Sequence, residues 1–364
     1  MSEVAPAREK PSLALLYGLA AVALVVAGLR LAAPVLVPVA LALFLAILVQ
    51  PLYEALLRRT PTGIAVLATV LLLGAVVGLF GLLLLGSLAE IREVGPHYAR
   101  SLQERVAGVE EWWRAKGIAL ADWIPPRWRR PEAIVELAGG TVVSALRLLS
   151  GATIVLLTLV FLLVESAAFP RKLARLPAPV RDGFRHLTNV SRELQRYLVI
   201  KTLVAAAIGL VIGIWIAVLG VDFAVLCALL AFALHFVPNV GAVLAAGPAM
   251  LLGFVQFDLP KALVVGLGYL VVGFVLGNLA EPALLGRRLN LSPLAVFLSL
   301  VAWGWLWGPI GMFLSVPLTM AIKIVLEHSR DWHWVARILD GAPPLEAEAP
   351  PAPAAEAATA GERS

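Results

Sequence analysis

The sequence predicts an all-α, polytopic membrane protein with six spanning helices and two helical hairpins that form an inverted repeat. Of its 364 residues, 60% are hydrophobic and only 15% are charged, and the mean hydropathy is +0.91. A soluble domain is closer to half apolar and a quarter charged. Uncharged apolar runs near 20 residues recur along the chain, and a helix of that length crosses a bilayer. An ordinary soluble enzyme, a disulfide scaffold and a disordered chain are therefore excluded.

Six apolar runs each have about the length of one crossing. They are 11–29, 31–53, 60–89, 148–164, 202–221 and 262–280. We interpret the first as a retained anchor, because it is longer than the apolar part of a usual signal peptide and no clear cleavage site follows it. A cleaved signal peptide is the alternative for that run.

Two further runs, 223–257 and 289–322, are too long for one crossing and rather short for two. Each is interrupted near its middle by a helix-breaking pair, at Pro238-Asn239 and at Gly308-Pro309. We interpret both runs as helical hairpins that are either re-entrant or short-spanning.

The distribution of Lys and Arg predicts the orientation of the spans. Segment 165–201 carries eight basic and three acidic residues, so we expect it in the cytoplasm. Segment 90–146 balances eight basic against eight acidic residues and is expected outside. One orientation of the spans then places every pair of basic residues near a span end on the cytoplasmic side. In this orientation both termini are cytoplasmic in a bacterial inner membrane.

These patterns divide the chain into nine segments. They are a cytoplasmic tail (1–10), three transmembrane helices (11–89), an extracytoplasmic amphipathic helical segment (90–146), a fourth transmembrane helix (147–170), a basic cytoplasmic helix (171–200), a transmembrane helix with hairpin 1 (201–257), a transmembrane helix with hairpin 2 (258–327), an interfacial helix (328–340) and a disordered tail (341–364). Apolar residues recur at three- and four-residue spacing from Ile91 to Trp113 and make one apolar stripe on a helix, so segment 90–146 is amphipathic. Pro96 is expected to break or start that helix.

An internal repeat relates the two hairpins. Residues 224–238 and 295–309 are identical at five of fifteen aligned positions without a gap. Each aligned segment is followed by a glycine and then by a second proline (Gly241 and Pro248, Gly311 and Pro317). The predicted orientation makes the two units enter the membrane from opposite faces, which is a pattern of many secondary transporters. Chance similarity between apolar sequences is the alternative.

Broken helices in lipid require partners for the backbone groups that the break frees. Two opposed breaks therefore predict a polar cavity between the hairpins, although a kink that only shapes packing is the alternative for each. We select the residues at the breaks and the polar residues within the apolar runs as candidate contacts on a substrate or ion pathway. They are His235, Pro238, Asn239, Gly241, Asn278, Glu281, Pro282, Ser299, Pro309, Gly311 and Pro317.

Three of these candidates have specific interpretations. Asn278 and Glu281 lie three residues apart, share one face of a regular helix, and would contact a solute or cation. The alternative for Glu281 is a solvated helix end. His235 is a candidate proton carrier, and the alternative is a neutral histidine bonded to a backbone carbonyl. We predict no catalytic residue, metal site or cofactor, because no motif for enzyme chemistry is present.

Several motifs of the carboxyl half resemble one family of transporters. They are Phe236-Val-Pro-Asn-Val-Gly241, Asn278-Leu-Ala-Glu-Pro282, and Trp303-Gly-Trp-Leu-Trp-Gly-Pro-Ile-Gly-Met312 with Val316-Pro317. The chain resembles the autoinducer-2 exporter family of PerM-like permeases over almost its whole length. The resemblance implies a multipass inner-membrane transporter that forms a homo-oligomer. It further implies export of autoinducer-2 in some members and sodium–proton antiport in others.

Three functions follow from these observations. The first is a secondary carrier that exports a small polar solute such as autoinducer-2 through a site between the hairpins. The second is a sodium–proton antiporter that uses Glu281 or His235 as its titrating group. The third is a non-transporting membrane scaffold that binds partners through segment 90–146. In each case the lipid bilayer is a partner and nucleic acid is not.

Overall fold

The computed structural model describes residues 11–114, 152–175, 177–238, 240–285, 291–327 and 333–339. Within these residues the chain is helical and contains no strand. The helices are α1 (Pro11–Leu31), α2 (Ala33–Leu57), α3 (Thr62–Arg114), α4 (Ala152–Ala174), α5 (Ala178–Val218), α6 (Ala224–Leu234), α7 (Gly241–Gln256), α8 (Leu259–Val272), a π-helical segment (Gly273–Ala280), α9 (Glu281–Leu285), α10 (Pro293–Glu327) and α11 (His333–Leu339).

The predicted fold class of an all-α, polytopic membrane protein is confirmed. In the described part of the chain, six helices are long and apolar enough to cross a membrane. They are Ala33–Leu57, Thr62–Ile91, Ala152–Ala174, Arg192–Val218, Leu259–Leu285 and Pro293–Glu327. Shorter apolar helices cover Leu16–Leu31, within the first predicted span, and Ala224–Leu234 and Gly241–Gln256, within hairpin 1.

Helix α3 is longer than any membrane crossing requires. It runs unbroken for 53 residues with Pro96 inside it, so the expected break or start at Pro96 is wrong. At 1.5 Å per residue it is about 80 Å long, against a hydrocarbon core of about 30 Å. The part of the predicted amphipathic segment from 115 to 146 lies outside the described residues.

Hairpin 1 consists of α6, the turn after it, and α7. It packs against α5 because two glycines of α5 leave no side chain in the way. A Cβ at Gly209 would lie 2.8 Å from the Ala228 carbonyl oxygen, and one at Gly213 would lie 2.9 Å from the Ala228 Cβ. At the turn, Gly241 closes onto Leu234, whose carbonyl oxygen would lie 1.8 Å from an added Cβ.

Hairpin 2 is formed by α10, which folds back on itself at Gly308. This glycine has φ 67° and ψ −148°, a backbone conformation that favours glycine. The Trp303 indole nitrogen donates to the Thr319 hydroxyl at 3.1 Å. In a straight helix residues sixteen apart would be separated by about 24 Å, so the two halves of α10 lie side by side. Hairpin 2 is thus a hairpin, as the sequence predicts.

The bases of the two hairpins lie at opposite ends of one long helix, Leu259–Leu285. The base of hairpin 1 is closed by Asp222, whose backbone N–H donates to the Gln256 side chain at 3.0 Å, just before this helix begins. Hairpin 2 begins after the same helix ends, and Leu285 and Leu291 belong to one apolar cluster. Twenty-seven helical residues span about 40 Å, which separates the two bases.

Where the hairpins meet, the contact is apolar. The rings of Phe236 in hairpin 1 and Phe313 in hairpin 2 have centroids 4.5 Å apart, and Phe44 of α2 packs against both. This contact differs from the polar cavity that we expected between the hairpins. The expectation followed from the freed backbone groups alone. In the structure, aromatic side chains next to the breaks fill this space instead.

A buried ion cluster as candidate functional site

A buried cluster of three ionisable side chains lies beside the turn of hairpin 1. The Lys201 Nζ is 2.8 Å from Oε1 and 3.0 Å from Oε2 of Glu281. The His235 Nε2 is 2.9 Å from Glu281 Oε2 and 3.4 Å from Lys201 Nζ. The side chains of Lys201, His235 and Glu281 are only 9%, 13% and 11% exposed. One carboxylate therefore contacts two basic groups in the interior of the protein.

Three separate elements supply the cluster. Lys201 lies within α5, in the apolar stretch Arg192–Val218. His235 immediately follows α6, where its backbone N–H donates to the Ala231 carbonyl at 3.2 Å. Glu281 directly follows the π-helical segment. The cluster consequently links hairpin 1 to the two long helices on which it packs.

Small residues make room for this arrangement. Gly277 faces His235, and a Cβ there would lie 3.3 Å from the His235 Cε1 atom, which is tighter than an ordinary contact. Gly277 belongs to the π-helical segment, whose wider turns are often found at functional sites. The imidazole can therefore approach Glu281 between α5 and the end of the long helix.

The charges of the cluster explain why it is tolerated in an apolar region. An unpaired charge at the centre of a bilayer costs about 2.5–3.5 kcal/mol on insertion scales. Lys201 and Glu281 neutralise each other, and the hydrogen bonds to both carboxylate oxygens offset part of their desolvation. His235 adds an imidazole, whose ring nitrogens can donate or accept a hydrogen bond. Such a cluster can exchange a proton or release one partner to a competing solute.

Hairpin 1 contributes three further predicted site residues at its turn. The Pro238 carbonyl accepts the Val240 N–H at 2.6 Å, and the Gly241 N–H donates to the Val237 carbonyl at 3.1 Å. These bonds pair backbone groups at the break. Asn239 lies outside the described residues. Pro238 and Gly241 thus shape the turn that presents His235.

Asn278 and Glu281 do not share a face. Asn278 is exposed, whereas Glu281 is buried. The expectation assumed an α-helix, but residues 273–280 form a π-helix, in which successive residues are rotated less about the axis. Pro282, which follows Glu281 in α9, is exposed as well.

The predicted residues of hairpin 2 do not join the cluster. The Ser299 hydroxyl donates to the Val296 carbonyl at 2.8 Å within its own helix. Gly311 is buried, and it packs so closely on the first half of α10 that an added Cβ would lie 2.0 Å from the Trp303 carbonyl oxygen. Pro309 is exposed beside Gly308, and Pro317 lies half-buried in the second half of α10. These residues shape the hairpin.

Sequence reasoning missed Lys201 as a site residue. Lys201 counts there only toward the basic charge of segment 165–201, because charged residues are used as the ends of spans. The signal that identifies it is the pair of charges at the ends of the apolar runs 202–221 and 262–280. A lysine and a glutamate at corresponding ends of antiparallel helices can meet.

Hairpins, a broken helix and buried charges occur together in polytopic membrane proteins that transport solutes. The sequence model of the AI-2E family transporters matches residues 19–331. The chain belongs to this family, and it is a multi-pass transport protein of the inner membrane.

Several bacterial proteins are similar to the chain over most of their length. The AI-2 transport protein TqsA of Escherichia coli is 37% identical over 320 residues, covering 87% of this chain and 92% of TqsA. The provisionally named transport protein YhhT of Escherichia coli is 32% identical over 340 residues, covering 92% and 96%. A provisionally named transport protein of Haemophilus influenzae is 33% identical over 322 residues, covering 86% and 92%.

Proposed function

We propose that the protein is a secondary transporter that exports a small polar solute such as autoinducer-2, with the Lys201–His235–Glu281 cluster at its core. The observation that carries the proposal is the burial of this cluster at the turn of hairpin 1. Charged groups inside a membrane protein are costly and commonly mark substrate or ion pathways. The hydroxyl groups of a polar solute can replace the hydrogen bonds that these side chains make to one another.

The similarity to TqsA supports autoinducer-2 as the first solute to test. The proposal places the transport site between hairpin 1, α5 and the end of the long helix. It retains the inverted arrangement of the hairpins, the cytoplasmic termini and the homo-oligomeric assembly as its expected context. Asn278 has no part in it, because its side chain is exposed.

The second candidate function is sodium–proton antiport. The contact of His235 Nε2 with Glu281 Oε2 favours it, since a carboxylate next to an imidazole can pass between proton-bound and cation-bound states. Both candidates use the same cluster and differ in what moves across the membrane.

Flux measurements on the purified protein in liposomes test the proposal. Labelled autoinducer-2, radioactive sodium and a panel of small polar metabolites are the solutes. We expect Glu281→Gln to abolish the flux of the transported solute. Glu165→Gln is the matched control, because Glu165 pairs with Lys172 at 2.6 Å in an exposed position. A Glu281→Gln variant that transports at the wild-type rate would refute the assignment of Glu281 to the transport site. A wild-type protein that moves none of these solutes would favour the non-transporting membrane scaffold.

A further inference from the structure

The link between α5 and α6 holds a strained residue at the base of hairpin 1. Phe223, which immediately precedes α6, has φ 61° and ψ 34°, a left-handed conformation that bulky residues rarely adopt. In the described part of the chain it is the only residue other than glycine with a positive φ. Its side chain is buried. A strained conformation of this kind persists only where the surrounding contacts enforce it.

Two neighbouring elements enforce the conformation of Phe223. From α3, the Tyr98 ring packs edge to face against the Phe223 ring, with an interplanar angle of 73°. The Tyr98 hydroxyl also donates to the carboxylate of the preceding residue, Asp222. From the end of α7, the Gln256 side chain accepts the Asp222 backbone N–H at 3.0 Å. The strained link is therefore fixed from two sides, and α3 supplies one of them.

Helix α3 contacts hairpin 1 at two further points. The ring of Phe80 lies 5.9 Å from that of Phe232 in α6, measured between centroids. The Arg105 guanidinium lies over the Phe254 ring of α7, 5.9 Å from its centroid. From Phe80 to Arg105 the axis of α3 covers about 37 Å. One continuous helix thus holds both helices of hairpin 1, and it does so partly through residues 92–114, which extend beyond its apolar, membrane-crossing stretch.

We propose that Tyr98 is a positioning residue that holds hairpin 1 in a strained resting position, and that release of this contact lets hairpin 1 move. Helix α6 connects Phe223 at its start to His235 just after its end, about 18 Å apart along the axis. A rotation of the Phe223 backbone out of the left-handed region therefore changes the direction of α6. This change displaces His235 from Glu281. The extended part of α3 then controls the ion cluster from beyond the membrane-crossing stretch.

The backbone strain distinguishes this role from simple docking. A contact that only anchors α3 stabilises the fold without favouring any movement of hairpin 1. A contact that enforces a strained link opposes a relaxation that is itself favourable, so its loss shifts hairpin 1 toward a second position. The inference rests on the proposed transport function, because such a movement affects a solute only if the solute passes the ion cluster. It adds a means of control to that function.

Cys227 is a native reporter of this movement. It is the only cysteine of the sequence. It lies one helical turn after Phe223, to whose carbonyl its backbone N–H donates at 2.9 Å, and it is only 2% exposed. A buried thiol reacts slowly, because the reactive thiolate is disfavoured and the reagent has no access. The rate at which N-ethylmaleimide labels Cys227 therefore follows the population in which the base of hairpin 1 has opened.

Labelling of the full-length protein in liposomes tests the proposal. We expect Tyr98→Phe to raise the Cys227 labelling rate about fivefold, which corresponds to the loss of one hydrogen bond of about 1 kcal/mol. Arg105→Gln weakens a second contact between α3 and hairpin 1. Combined with Tyr98→Phe, it should raise the rate about twofold further, the effect of one exposed cation–π contact.

Two control variants separate this effect from other causes. Arg100→Gln alters the same part of α3, but Arg100 is exposed and bonds the Pro96 carbonyl of its own helix, so the rate should stay at the wild-type value. Thr69→Val removes a buried hydrogen bond to the Ala65 carbonyl, also within α3. A Tyr98→Phe rate equal to the wild-type rate would overturn the proposal. So would an equal acceleration by Thr69→Val, because labelling would then report a general loss of stability.

A cross-link tests the consequence for transport. Tyr98→Cys and Asp222→Cys are combined with Cys227→Ser, and a short bismaleimide joins the two new cysteines. We expect the cross-link to stop the flux of labelled autoinducer-2, because hairpin 1 can no longer leave its resting position. Each single-cysteine variant, treated with the same reagent, should keep its flux. Cross-linked protein that transports as fast as the untreated protein would overturn the control of transport by Tyr98.

The two proposals fail in distinguishable ways. A wild-type protein that moves no solute, or a Glu281→Gln variant that transports normally, would overturn the proposed transport site. Labelling of Cys227 requires no transported solute, so it decides separately whether Tyr98 holds hairpin 1. Unchanged labelling of Tyr98→Phe, together with solute flux that Glu281→Gln abolishes, would overturn the positioning role and leave the transport site in place.

Discussion

Phe236 and Phe313 join the two hairpins through a ring contact with a centroid distance of 4.5 Å and an interplanar angle of 34°. Phe236 immediately follows His235, so the same turn holds one member of the ion cluster and one member of the aromatic contact. A displacement of hairpin 2 that kept this ring contact would therefore also move the backbone that carries His235.

We expect the contact between the Phe236 and Phe313 rings to stabilise the fold by an amount that a double-mutant cycle can measure. Replacing Phe236 and Phe313 by leucine, singly and together, forms a double-mutant cycle. We expect a coupling free energy of about 0.5–1.5 kcal/mol, which is typical of aromatic pairs. Thermal unfolding in detergent measures it. Phe161→Leu is the control, because Phe161 is exposed on α4. Additive effects of the two substitutions would show that the rings do not interact.

Because Lys201 and Glu281 form an ion pair, we expect their substitutions to have strongly non-additive effects on the free energy of unfolding. Glu281→Gln leaves a buried lysine without its charge partner, and we expect it to destabilise the protein by about 3–5 kcal/mol. Adding Lys201→Met removes the second charge, so the double variant should be more stable than Glu281→Gln alone. Thermal unfolding of the single and double variants measures this recovery. A double variant less stable than either single one would contradict the pairing.

Each of the two hairpin turns contains a glycine that packs directly against the backbone of the helix before the turn. We expect Gly241→Ala and Gly311→Ala to destabilise the protein by at least about 1–3 kcal/mol, because each added Cβ would overlap a carbonyl oxygen. Gly247→Ala, in the second helix of hairpin 1, has open space around it and should be tolerated. Yield of folded protein and melting temperature report the effect. Equal stability of all three variants would contradict the described turns.

The extended part of α3 docks on the base of hairpin 1 through Tyr98, whose hydroxyl donates to the Asp222 carboxylate. Its ring also packs against Phe223, at a centroid distance of 6.1 Å. Burial, then the hydrogen bond to Asp222 and the charges of Asp222 and Glu90, raise the pKa of Tyr98. The neutral phenol is therefore the form that the fold favours.

This contact predicts a stability difference that disappears only in alkali. We expect Tyr98→Phe to cost about 1 kcal/mol at neutral pH. Because the folded-state pKa is raised, the contribution is complete below the unfolded value of about 10 and is lost as pH rises above it. Unfolding measured from neutral to alkaline pH checks this course. Tyr17→Phe, exposed on α1, is the control. A difference that grows above pH 10 would contradict the assignment.

The fold was predictable because lipid imposes simple rules on length and composition. The hairpin breaks at Pro238 and Gly308 could be located because proline and glycine interrupt helices for local reasons. The contact between the hairpins could not be predicted in the same way. Phe236 and Phe313 are separated by 77 positions, and nothing local distinguishes them from other apolar residues in these runs.

The candidate site was predictable only in part. His235 and Glu281 stood out as ionisable groups in or beside apolar runs. Lys201 did not, because the rule that ends a span at a charge fails when two charges neutralise each other inside it. Cluster formation depends on how three helices pack, and that information is not contained in any one segment.

The π-helical segment fixes the direction in which Glu281 points. If the same eight residues formed an ordinary α-helix, each step would turn further about the axis, and Glu281 would point to a different side of the helix. The carboxylate would then turn away from Lys201 and His235, although no charged residue had been altered. A change confined to this uncharged stretch that made it α-helical would thus remove the ion cluster without substituting any of its members.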